Sequence, residues 1–250
     1  MKALSPVELT ETMLNRIQAQ DSQYKSYITV MAAQARTSAQ SAERAIAAGN
    51  YQGPLHGVPI AVKDLCFTKG IATMGGTKAL NNHIPDFDGT VVERLNAAGA
   101  IILGKLNLTE GAMAGYNPEF EVPVNPWGAN LWSGASSSGS GVATAAGLCY
   151  GSLGSDTGGS IRFPSAACGI VGLKPTWGRV SRYGVLALAQ SLDHIGPMTR
   201  SATDAGIILQ AMAGLDSNDP TTLTAPVPDM LDGIDGGVRD IRIGLDENYI

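Results

Sequence analysis

The spacing of apolar positions changes several times along this chain, and each change marks an element. Ser5-Pro6-Val7-Glu8 forms a capping box with proline at the first helical position. Leu9, Met13, Leu14 and Ile17 then give the predicted helix one apolar face. A second, alanine-rich helix is predicted over 31–48 and stops at Gly49-Asn50, where a left-handed residue is easily placed. The period then shortens. Val58, Ile60, Ala61 and Val62 form a brief β-rich run that ends abruptly in Lys63 and Asp64. Helix and strand alternate again over 91–98, 100–103, 139–147 and 150–155. Ser201 and Asp204 form a second capping box opening a helix through Met212. A loop rich in Pro, Gly and Asp covers 216–240, and Ile241, Ile243 and Leu245 alternate as a final strand would. This succession predicts an α/β domain whose parallel strands are joined by helical crossovers. Such sheets bind ligands at the carboxyl ends of their strands.

Two segments interrupt the pattern. Residues 132–141, WSGASSSGSG, and 154–162, GSDTGGSIR, concentrate serine and glycine, yet apolar runs at 142–148 and 166–173 border them. A flexible linker is flanked by polar sequence. Rigid Gly/Ser loops between buried elements instead aim backbone amides at a ligand. A Pro/Asn/Gly-rich loop over 117–132 delivers the chain into the first cluster, and the second lies just past a strand end.

Composition narrows the chemistry. With 250 residues, 44% hydrophobic and 16% charged, the chain has enough apolar sequence for one large core. A net charge of −5 with scattered basic residues predicts no direct nucleic-acid binding. Cys66, Cys149 and Cys168 lack any CxxC pair and read as buried thiols. No apolar leader opens the sequence and no run approaches a membrane span, so a cytoplasmic protein without membrane contact is expected. His56, His83 and His194 lack metal-ligand spacing, and GSGVATAAG carries neither dinucleotide-binding spacing nor a P-loop lysine. No metal and no cofactor are expected. Asp156-Thr157-Gly158 spells the aspartic protease tripeptide, but it occurs once and in an α/β setting.

Taken together, GVPIAVKD, GASSSGSG, GSDTGGSIRFPSAACGIVGLKPT and SLDHIGPMTRS resemble the motifs of the amidase signature family, and the resemblance covers nearly the whole chain. It implies a mixed, largely parallel β-sheet covered by helices, as a single domain over 1–250 with no separate second domain. Relatives run to about twice this length, so the chain is expected to be the N-terminal portion of the fold, truncated at its C-terminus. The family uses a nucleophilic serine, a second serine on a cis peptide bond, and a lysine. Residue by residue, the resemblance places these roles on Ser160, Ser136 and Lys63.

A serine hydroxyl needs a base within hydrogen-bond reach. A buried lysine can supply one, because burial disfavours its charged form. The expected chemistry is metal-independent hydrolysis of an amide C–N bond through an acyl-enzyme on Ser160, with Ser136 and Lys63 as relay and base. Thr157, Gly158, Gly159 and Ser160 offer a run of amides for an oxyanion. Supporting roles are expected for Ser137, Asp156, Arg162 and Asp193, with Asp156 and Arg162 pairing to hold the nucleophile loop.

Ala135 and Ser138 stand where the family usually has glycines, and Ala135 fits only if its backbone does not need positive φ. The loop from Glu110 to Asn117 is shorter than in many relatives, which would reshape the acyl pocket. Expected partners are a small-molecule amide and either a second copy or amidotransferase subunits. Two alternatives follow: the glutaminase subunit of a tRNA-dependent amidotransferase, or an inactive fragment serving as an interaction module through an exposed sheet edge at 241–245.

Overall fold

A computed structural model describes residues 4–113 and 115–248. The elements follow in the order α1 (Pro6–Tyr24), β1 (Tyr27–Val30), α2 (Ala32–Ala47), β2 (Pro59–Lys63), α3 (Thr90–Ala97) and β3 (Ile101–Leu106). Then come α4 (Ser138–Ala145), β4 (Gly151–Asp156), α5 (Arg162–Cys168), β5 (Val171–Gly172), β6 (His194–Thr199) and α6 (Ala202–Met212). The predicted caps form: Ser5 Oγ accepts from the amides of Val7 and Glu8, and Ser201 Oγ accepts from Asp204 N at 3.1 Å.

One mixed sheet runs β1-β3-β2-β4-β6-β5. Its centre is parallel, β3 and β4 flanking β2, while β1 and β6 join antiparallel on either side. Alternate residues of the central strands feed two cores. Ile60, Val62 and Leu153 pack with α3 and α6, whereas Ala61, Ile101 and Leu103 pack with α1, α2 and α4. Cys66, Cys149 and Cys168 are buried and free, as their spacing suggested.

The strand expected at the end of the sequence does not form. Residues 241–246 are irregular, and Ile241, Ile243 and Leu245 are 63%, 83% and 69% exposed. Their alternation matches a strand, but among the described residues no neighbouring strand offers the ladder that would make it one. The exposed sheet edge that would have served an interaction module is therefore absent at this place.

Candidate active site

β2 and β4 lie side by side and parallel, so Lys63 and Asp156 end adjacent strands at the same rim of the sheet. Lys63 comes two residues after Ala61 and shares its face, the one that α4 covers. It is 1% exposed. The chain before α4 meets it there: Ser136 follows a cis peptide bond from Ala135, and Ser137 caps the helix.

Gly134 permits this entry, because its φ of +80° is left-handed and a Cβ would lie 2.2 Å from the Pro164 Cα. Ala135 is not among the positive-φ residues, so its methyl group fits where relatives have glycine. Ser138 is buried, and its hydroxyl accepts from Tyr116 Oη at 2.5 Å.

Lys63 Nζ lies 2.7 Å from Ser136 Oγ, 2.9 Å from Ser137 Oγ and 2.9 Å from Ser155 Oγ. Burial brings its pKa down from 10.5 to about 7, against the smaller opposing pull of Cys66, Asp156 and Asp193. Protonated, the amine fills all three contacts as donor. Neutral, it keeps two N–H donors and one lone pair, so one serine must donate to it. Ser137 is committed elsewhere, since its hydroxyl donates to Ser155 O at 3.2 Å. Ser155, not anticipated from the sequence, is thus a third polar neighbour of the amine. A serine in the last strand position before Asp156 gives no signal of which side chain it will meet.

Ser160 is half-buried at the rim, in the loop between β4 and α5. A backbone bond ties the two serine clusters, Ser137 N donating to Ser160 O at 3.3 Å. Among the described residues the Ser160 hydroxyl makes no hydrogen bond with Ser136 Oγ; the structure joins Lys63 to Ser136 directly and brings Ser160 to them through its backbone.

Asp156 holds the nucleophile loop from inside. Its carboxylate accepts from Gly159 N at 2.7 Å, Ile161 N at 3.1 Å and Arg162 Nε at 3.0 Å, and Arg162 Nη2 completes a bidentate pair at 2.9 Å. Burial pushes the Asp156 carboxyl up, but the Arg162 and amide hydrogen bonds outweigh it, leaving the group below its ordinary value. The pairing expected from sequence is present.

It also corrects one expectation: the Gly159 amide faces inward to Asp156, so Thr157, Gly158 and Ser160 remain as oxyanion donors. The glycine at 159 is needed for another reason, since its φ is +139° and Phe163 packs where a Cβ would be. Asp193 secures the outer side, accepting from Thr157 Oγ1 at 2.5 Å and from the amides of Leu188 and Ala189.

A second buried lysine, not singled out from the sequence, stands behind the site. Lys105 Nζ lies 3.2 Å from Asp64 Oδ1, both side chains fully buried, and donates to Cys66 O at 2.6 Å and Thr73 Oγ1 at 2.7 Å. Burial pushes the Asp64 carboxyl up and the Lys105 amine down. The pair fixes the turn that immediately follows Lys63, where Asp64 also accepts from Met74 N at 2.9 Å.

The chain is similar over 245 residues, at 54% identity, to AmiD of Mycobacterium tuberculosis, an assigned amidase; this covers 98% of the chain and 51% of that protein. It is 50% identical over 250 residues to the glutaminyl-forming relative in Geobacter sp. strain M21, the A component of glutamyl-tRNA(Gln) amidotransferase, covering 99% of the chain and 51% of the relative. The solved peptide amidase of Stenotrophomonas maltophilia superposes with a TM-score of 0.86 at 39% identity, over 91% of this chain and 48% of that one. The chain therefore spans about half the length of these relatives. The Amidase family model matches residues 8–250, and the chain belongs to that family.

Proposed function

We propose that this chain carries the Ser-Ser-Lys machinery for hydrolysis of an amide C–N bond. The observation that supports this most is the 2.7 Å contact between Lys63 Nζ and Ser136 Oγ, inside a cluster whose lysine is half neutral near pH 7. Ser160 is the nucleophile. Its hydroxyl proton passes to Ser136 Oγ as the proton of Ser136 passes to Lys63 Nζ, and Ser160 Oγ bonds to the amide carbon. Thr157, Gly158 and Ser160 amides receive the negative charge on the carbonyl oxygen, each such donor being worth roughly 3 kcal/mol. The C–N bond then breaks. The leaving nitrogen takes the proton from Ser136, and Lys63 restores that of Ser136. Water enters by the same relay and releases the acid, returning Ser160 to its free form.

The identity to the amidotransferase component supports a second reading, a glutaminase working with partner subunits. Ammonia release from a panel of primary amides that includes glutamine tests both. The hydrolase reading expects turnover by the chain alone that is lost in Ser160→Ala and in Lys63→Met. Turnover of glutamine alone, and only with partner subunits added, would favour the second. Turnover that survives Ser160→Ala contradicts both.

A further inference from the structure

A cavity of about 540 Å³ opens beside the lysine cluster and shares two residues with it, Ser155 and Thr157. Ser155 is the 2.9 Å neighbour of Lys63 Nζ, and Thr157 begins the run of amides offered to an oxyanion. The size is that of a small-molecule site. Most of its lining is apolar, with Leu65, Ala112, Val185, Leu186, Leu188 and Ile195 supplying the walls.

The charges around it are already spent. Three charged residues, Arg182, Asp193 and Asp219, border the cavity. Asp193 is saturated by Thr157 Oγ1 and the Leu188 and Ala189 amides. Arg182 donates to Gln190 O and Thr221 Oγ1, lies over the Trp177 ring at 4.8 Å and pairs with Asp219 at 3.8 Å. Asp219 in turn accepts from Arg182 N at 2.8 Å and Thr221 N at 3.0 Å. Arg182 therefore straps the loop at 186–193 to the loop at 216–222, shaping the cavity rather than reading a ligand. A charged or zwitterionic group entering here would lose its hydration with no free counter-charge to replace it.

We infer that this cavity is the subsite for an uncharged, apolar substituent of the substrate, so that the chain selects hydrophobic amides over polar or zwitterionic ones. The inference rests on the proposed amidase reading and adds to it the class of substrate. Binding tests it without requiring turnover.

Octanamide, acetamide and the carboxylate-ended adipamic acid are titrated calorimetrically against the 250-residue chain. Octanamide should bind at least tenfold more tightly than either, since burying two methylenes alone accounts for about that factor. Leu188→Trp, which fills the cavity, should remove the preference. Leu188→Ala, which enlarges it, should keep octanamide above acetamide. Retained cooperative melting shows that each variant is folded. Equal affinity for the three amides, or a preference that survives Leu188→Trp, overturns the subsite, as does absence of octanamide binding to the folded chain. Failure of the catalytic reading looks different: octanamide binds with the stated preference while Ser160 stays inert toward a fluorophosphonate.

Discussion

Lys63 Nζ and Ser136 Oγ stand 2.7 Å apart although 73 residues separate them in the chain. The contact joins the end of a buried strand to a serine that follows a cis peptide bond. Since burial sets the amine's pKa at about 7, the base form gains ground as pH rises through neutrality. The rate of Ser160 acylation or phosphonylation should therefore climb about tenfold per pH unit below 7 and level off above it. A rate flat from pH 5 to 9, measured with a probe whose own reactivity is constant, contradicts a lysine base.

The same shift has a consequence for stability. The folded-state value lies below the ordinary 10.5, so between about pH 7 and 10.5 the unfolded chain binds the extra proton. Stability should rise with pH across that window, and Lys63→Met should flatten the rise. Urea midpoints at pH 7 and 9, for both proteins, check this.

Removing Asp156 should cost more than removing its partner. The carboxylate is fully buried under three loop amides and the guanidinium, whereas the Arg162 side chain is 54% exposed. Asp156→Ala should destabilise by about 2–3 kcal/mol and abolish labelling of Ser160. Arg162→Ala should cost less than about 1 kcal/mol, because its charge is screened by solvent. The Asp156 contribution is complete at neutral pH and is lost only as pH falls below the ordinary 3.8, its folded pKa lying lower still. Urea melts of the two variants give the ranking.

Lys105→Met should be the most damaging single change outside the loops. It strands the Asp64 carboxyl, fully buried, beside the turn after Lys63. Breaking a buried pair in this way costs about 3–5 kcal/mol. Adding Asp64→Leu should recover part of the loss, and denaturant melts of the single and double variants test the coupling.

The nucleophile loop separates its glycines. Gly158 has open space around its missing Cβ and no left-handed backbone, so Gly158→Ala should melt within about 0.5 kcal/mol of the parent. Gly159→Ala places a methyl group 2.3 Å from Phe163 at a φ of +139° and should disturb the loop. Melting temperatures of the two variants decide it.

The parts of this fold legible in sequence are those where local pattern and burial agree. Val58 to Val62 is apolar and bounded, and it becomes β2 with Lys63 at its end. β6 was hidden because Gly196 and Pro197 sit inside it, and proline within a strand argues against one. It forms because β4 offers a six-residue antiparallel partner, a long-range fact. The converse holds at 241–245, where a strand-like alternation lies exposed without a partner. Lys63, Ser136 and Ser160 were legible through their motifs. Ser155 and Lys105 were not, since each gains meaning only from a group remote in the chain, Lys63 in one case and Asp64 in the other.

Activation of Ser160 by the Ser136–Lys63 relay is open to direct measurement. Intact mass is recorded after treatment with a serine-directed fluorophosphonate, on the parent chain, Ser160→Ala and Lys63→Met. One adduct is expected on the parent, none on Ser160→Ala, and labelling slowed at least a hundredfold in Lys63→Met. An adduct that persists in Ser160→Ala, or the absence of any adduct on a chain shown to be folded, would contradict the relay.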